Sequence, residues 1–164
     1  TLCVSSCLSD SALMSDMYTT YAYCDSGFLE QVFSVTCVAS AMVEDAHGQM
    51  LSLHAVEIVP DGGVYGYDAR YTAGATEFFT PARLSASAAA SAAAASLTAF
   101  RTLGHQHLSR VDLIIDSDER PWFLEANVSP GMTETSLLPM AVQGAGLDSA
   151  GVYAGIVERA LKSS

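Results

Sequence analysis

The chain has 164 residues, half of them hydrophobic, and a net charge of -11. That length supports one domain with a buried core, and the acid excess leaves no basic patch to neutralise a nucleic-acid backbone. With no apolar run of about 20 residues and no basic-then-apolar leader, the chain reads as cytoplasmic, with no nucleic-acid or membrane partner.

Residues 1–9 read as a short strand and a polar turn. Ser9 or Asp10 caps a predicted helix to about Tyr21, and Asp25-Ser26-Gly27 forms a turn. Segments 28–33 and 35–43, rich in Val, Phe and Thr, read as strands. Asp45 to Gly48 is a turn with hairpin character, and 51–59 is the next strand, stopped by Pro60-Asp61-Gly62-Gly63. The four cysteines, Cys3, Cys7, Cys24 and Cys37, contain no C-x-x-C pair and read as reduced thiols.

Segment 61–83 is rich in Gly and Tyr and lacks periodicity. A loop of that length in a compact domain is commonly functional, and its aromatics, Phe78 included, call for packing against something. Ser85 then caps an alanine-rich helix to about Leu103, with Gly104 after its end. Strands over 110–116 and 121–127 follow, joined by Ser117 to Arg120. A short helix starts at Thr135 or Ser136 and runs to Gln143, closed by Gly144 or Gly146. Asp148 opens a last helix to about Leu161. Hairpin strands with separate helices imply an α+β fold.

The hairpin of 110–116 and 121–127 carries the chemistry. If Asp116 faces Pro121, Asp112 lies directly opposite Glu125, and like charges so placed repel. Asn127 is two residues beyond Glu125 and shares its face, whereas Val111, Leu113, Leu124 and Ala126 point to the other. Two carboxylates and an amide oxygen on one rigid face suit Mg²⁺, or Mn²⁺, which takes its remaining ligands from water and phosphate. The alternative is a solvated outer sheet face on which the acids simply meet water. After Asn127, the Ser129-Pro130-Gly131-Met132-Thr133 loop lets backbone N–H groups approach an anion, just ahead of a helix N-terminus. An ordinary strand-to-helix turn is the plainer alternative. His47, His54, His105, His107 and Trp122 read as turn, sheet or packing residues, and Met132 and Met140 as packing.

These segments resemble a known family. Arg110-Val111-Asp112, the run from Leu124 to Thr133, and Ser136-Leu137-Leu138-Pro139-Met140-Ala141 with Ala145-Gly146 resemble the C-terminal part of D-alanine–D-alanine ligases. Those are ATP-grasp enzymes of peptidoglycan synthesis. Tyr65 to Tyr71 resembles their mobile active-site loop.

The resemblance implies a sheet flanked by helices, and ATP-dependent joining of two D-alanines through an acylphosphate. Asp112, Glu125 and Asn127 match the Mg²⁺ ligands, with Glu125 bridging two ions. Arg110 matches the arginine that steadies the transferred phosphoryl group. The Gly131 N–H matches the oxyanion donor, and Ser136 and Leu137 the pocket for the second D-alanine carboxylate. Tyr71 matches the loop tyrosine that helps close the site. Glu30 matches the hinge acid that binds adenosine, the backbone around Gln31 to Phe33 lies at the adenine, and Arg70 replaces the loop lysine. Full-length relatives form homodimers.

The resemblance also implies missing parts. The chain reads as starting after the family's N-terminal domain and lysine-bearing central domain, so that 1–164 forms a single unit. The Gly/Ser-rich phosphate loop and two ATP-binding lysines have no counterpart. The hinge's Gly-x-Glu element reads Val35-Thr36-Cys37, and Gly66 stands where an acid is common. Incomplete ligation machinery is one implication. The alternative is a non-catalytic remnant that retains a Mg²⁺–nucleotide site.

Overall fold

The computed structural model describes residues 36–44, 48–60, 74 and 76–162. Expectations for the segments before Thr36, and for Glu30, Gln31, Phe33, Arg70 and Tyr71, lie outside the described residues.

Among these residues six strands form one sheet. They are β1 (Thr36–Glu44), β2 (Met50–Ser52), β3 (Val56–Pro60), β4 (Thr76–Phe79), β5 (Leu108–Ile115) and β6 (Pro121–Asn127). Their order is β4-β3-β1-β5-β6, with β2 also pairing to β1, and every pairing is antiparallel. Among the described residues three helices accompany the sheet: α1 (Ala86–Thr102), α2 (Leu137–Gly144) and α3 (Ser149–Lys162).

Strand β1 is the centre and is buried along most of its length. One of its faces places Val38 and Met42 with Val111, Leu113 and Ile115 of β5, under Ala88, Ala92 and Phe100 of α1. The alanines of α1 let the helix lie close to the sheet, and Phe100 fills the space at its far end. The opposite face places Ala39, Ala41 and Val43 with Val56 and Ile58, under Leu138, Ala141 and Val142 of α2. Helix α3 buries no residue fully; its Val152 and Tyr153 rest on the edge of that second cluster.

The helix limits agree closely with the sequence signals. The Ser85 hydroxyl accepts from the Ala88 N–H at 3.1 Å. Gly104, at φ 66°, follows the end of α1 in the left-handed region that suits a residue without Cβ. Asp148 opens α3, its carboxylate accepting from the Gly151 N–H at 2.8 Å.

Three strand expectations need correction. The single strand predicted over 51–59 is two strands, because 53–55 leave the ladder between β2 and β3. Part of the predicted long loop is strand β4, where Phe78 pairs with Ile58 and packs on the α2-side core. The third concerns the hairpin. Asp112 does face Glu125, but Ile115, not Asp116, faces Pro121. A register shift after Asp112 leaves Leu124 without an opposite residue. The bulge turns Phe123 to the α1 side, against that core, where strict alternation would put it on the face of Glu125.

Candidate functional site

Strand β5 alternates cleanly. Val111 and Leu113 are buried toward α1, which leaves Arg110 and Asp112 on the face toward α2. Arg110 lies opposite Asn127 and Asp112 opposite Glu125, and the bulge brings this about: the register at Ile115–Pro121, continued without it, would set Asp112 against Leu124. All four predicted residues share one patch of sheet.

Arg110 organises it. Its Nε and Nη2 donate to the two Asp112 oxygens at 2.8 and 2.7 Å. The same Nη2 reaches Glu125 Oε1 at 3.3 Å. The side chains of Arg110 and Asp112 are each 17% exposed and that of Glu125 21%, so the group is withdrawn from bulk water but open on one side. Burial pushes the Asp112 carboxyl up to about 6, against the pull of Arg110, and Glu125 beside it adds to the rise. One guanidinium therefore serves two opposed carboxylates, one of them desolvated.

The donor chemistry fits a hard divalent cation: two carboxylates and an amide oxygen, with the rest of the shell open to water or phosphate. Among the described residues no group of three or more His, Cys, Asp or Glu side chains converges as a metal cage. A dedicated all-protein site, as for structural zinc, is thus not formed by them.

Asn127 joins this patch to the loop that follows. Its Oδ1 accepts from the Ser129 N–H at 2.9 Å, an Asx turn that starts the loop. At the other end, the Thr133 carbonyl accepts from the Ser136 N–H at 2.8 Å, and Thr133 Oγ1 lies 2.8 Å from Ser136 Oγ. Gly131 packs on the same hydroxyl: a Cβ there would stand 2.6 Å from Ser136 Oγ. Gly131 and Ser136 are therefore brought together. Leu137 contributes differently from its neighbours. Its side chain is buried in the α2-side core, which leaves its backbone as the part available to a ligand. That burial anchors the end of the loop on the α2 side of the sheet, the side that bears Asp112.

Other polar groups went unseen in the sequence. Glu57, buried in strand β3, takes three hydrogen bonds from Arg83, which holds its carboxyl below the usual range. Glu44 accepts from the His107 N–H at 3.2 Å and from Arg159 Nε at 2.9 Å, and pairs with His107 Nδ1 at 3.0 Å. Such partners are separated by 26 to 115 positions, and no local spacing announces them. Trp122 is an edge residue, 40% exposed, and its indole N–H donates to Asp116 in the hairpin turn at 2.8 Å. His105 stands edge-on to Phe100, in keeping with a packing role.

The family model described as "D-ala D-ala ligase C-terminus" matches residues 2–158. The chain belongs to this ligase family. A D-alanine–D-alanine ligase of Bordetella petrii is 37% identical over 147 residues, 90% of this chain and 45% of that protein. One of Synechococcus sp. is 44% identical over 118 residues, 71% of this chain and 35% of that protein. The chain thus spans less than half the length of these curated ligase relatives.

Solved structures agree. The VanG D-Ala:D-Ser ligase of Enterococcus faecalis matches with a TM-score of 0.63 at 26% identity, over 75% of this chain and 35% of its own. The D-alanine–D-alanine ligase of Bacillus anthracis, solved in complex with ATP, matches with a TM-score of 0.60 over 78% of this chain and 38% of its own. At 23% identity that second likeness is one of fold. The antiparallel sheet with its three helices is the C-terminal part of the ligase fold. Among the described residues, no helix is long and apolar enough to cross a membrane.

Proposed function

We propose that this chain carries the metal and acceptor side of a D-alanine–D-alanine ligase. The reaction joins two D-alanines through an acylphosphate, with ATP as phosphoryl donor, in the cytoplasm. The reading rests above all on the opposed Asp112–Glu125 pair, partly desolvated beneath one guanidinium. Stability alone gives no reason to hold two acids there.

Asp112, Glu125 and Asn127 would hold Mg²⁺ or Mn²⁺. Such an ion, when bound, neutralises charge on the phosphoryl group in transfer. Arg110 adds a fixed positive charge beside it. Gly131, with no Cβ, leaves its N–H open to donate to the oxygen on which charge develops as the acceptor amine attacks. The Ser136 hydroxyl and Leu137 N–H, at a helix start, receive the acceptor carboxylate. In the same reading Glu30, Gln31 and Phe33 hold the adenosine end, and Arg70 and Tyr71 cover the site. Residues 1–164 act as one unit, and homodimer formation belongs to the full-length relatives.

Cys37 supports a second reading, a non-catalytic remnant. It packs partly buried against the α2-side core, between Ile58 and Ile114, where the family resemblance implies an acid. Calorimetric titration of the 164-residue chain with Mg²⁺ and ATP separates the outcomes. Weak binding that Asp112→Asn and Glu125→Gln abolish supports the metal site. Absence of heat in the unaltered chain sinks it. Ligation of D-alanine by this chain alone is expected to be slow or absent, and fast turnover would overturn the expectation of incomplete machinery.

A further inference from the structure

Ser85 and Ser136 each precede a helix, and only Ser85 caps. It stands before α1 in an extended backbone, and its hydroxyl accepts from the Ala88 N–H at 3.1 Å. Ser136 stands before α2 in a similarly extended backbone, φ -86° and ψ 149°, yet makes no side-chain cap bond. Neither serine bonds the N–H of the second helical residue, and the two helices differ at the third. A cap hydroxyl accepts from the N–H of the second or third helical residue. In α1 the third is Ala88. In α2 it is Pro139, which has no N–H. The first turn of a helix tolerates that loss, because its N–H groups lack intrahelical partners.

The freed hydroxyl goes elsewhere. It bonds Thr133 Oγ1 at 2.8 Å and lies against Gly131. Were stability the only demand, a residue with an N–H at position 139 would let Ser136 cap α2 as Ser85 caps α1. The uncapped start leaves room for an outside anion to do the capping, and a carboxylate is the simplest group that can.

We propose that Pro139 and Thr133 are positioning residues for the acceptor carboxylate. Pro139 withholds the N–H that would capture the Ser136 hydroxyl, and Thr133 holds that hydroxyl beside Gly131. The ligand class is a small amino acid, whose carboxylate completes the cap. This rests on the reading of Gly131, Ser136 and Leu137 as the acceptor site.

The test is a double-mutant cycle on the ¹⁵N-labelled 164-residue chain with Mg²⁺ and ATP present, titrated with D-alanine. Dissociation constants are read from the Ser136 and Leu137 amides. Pro139→Ala restores a donor, so its new amide should be protected from exchange and α2 should melt no earlier. D-alanine binding should weaken about fivefold, since a cap bond must first be broken. Ser136→Ala should weaken binding too, and adding Pro139→Ala to it should cost nothing more. Thr133→Val should weaken binding and Thr133→Ser restore it. Unchanged affinity in Pro139→Ala, or additive losses in the double variant, would overturn the positioning role and leave the acceptor site standing. If D-alanine moves none of these amides in the unaltered chain, the acceptor site fails and the positioning role with it, even where the amide introduced by Pro139→Ala is protected.

Discussion

Burial pushes the Asp112 carboxyl from an ordinary 3.8 up to about 6. Between those values Asp112 holds its proton more in the folded chain than in the unfolded one, so its contribution to stability is full below 3.8 and is lost as pH rises through about 6. The sign is opposite at Glu57. Arg83 lowers that carboxyl from its ordinary 4.5, so its contribution is present above that value and is lost as pH falls. Asp112→Asn removes the penalty while keeping the shape and one acceptor oxygen for Arg110. In metal-free buffer at about pH 7.5 it should raise stability by on the order of 1–3 kcal/mol. Thermal melts at about pH 5 and about pH 7.5 check this: the variant's advantage should shrink at the lower pH. A variant less stable than the parent at the higher pH would mean that Arg110 more than repays the burial of Asp112, and the paired acids would then be ordinary structure.

At the scale of elements, α3 depends on a polar contact. It buries no residue fully and exposes Val157 and Leu161. Its anchor is Arg159, which donates to the Glu44 carboxylate at 2.9 Å and to the Glu44 carbonyl at 3.1 Å. Arg159→Ala should therefore raise amide exchange across Ser149–Lys162 by about tenfold and leave β1 and β5 protected, as a local opening rather than global unfolding. Uniform exchange across sheet and helix would show instead that α3 is part of one cooperative unit. The sequence could not disclose this anchor, because Glu44 and Arg159 lie 115 residues apart. What could be read in advance was local. The alanines and Ser85 of α1 and the glycine after each of α1 and α2 follow from short spacings. The facing of Asp112 with Glu125 comes from the bulge, which offsets a turn register one residue away from the expected one. The bulge at Leu124 follows from no such spacing, because a run of Phe, Leu, Glu and Ala carries no mark of where alternation slips. Strand β4 was hidden for a similar reason: four residues beside a Gly- and Tyr-rich stretch give no period to detect. The Ser136–Pro139 relation was present in the letters, but its meaning needed a second serine that caps.

For the molecule as a whole, a net charge of -11 means that any added cation steadies the fold by screening repulsion among its acids. A rise in melting temperature with Mg²⁺ is therefore no proof of a site. Ligand linkage gives a sharper expectation. A cation bound only by the folded chain stabilises it by RT ln(1 + [L]/Kd), about 2.7 kcal/mol at a hundredfold excess over Kd. Screening depends on ionic strength, whereas this contribution depends on Mg²⁺ itself and on an ionised Asp112. With NaCl added to equal ionic strength, Mg²⁺ should still raise the melting temperature at about pH 7.5. The excess over NaCl should fall by about pH 5, where a proton occupies Asp112 and competes with the metal. It should vanish in Asp112→Asn, although that variant is the more stable without metal. The two effects have opposite signs at one side chain: the acid costs the empty fold stability and supplies the binding energy of the filled one. Mg²⁺ and NaCl curves that coincide at matched ionic strength would assign the whole response to screening and leave Asp112, Glu125 and Asn127 without a metal.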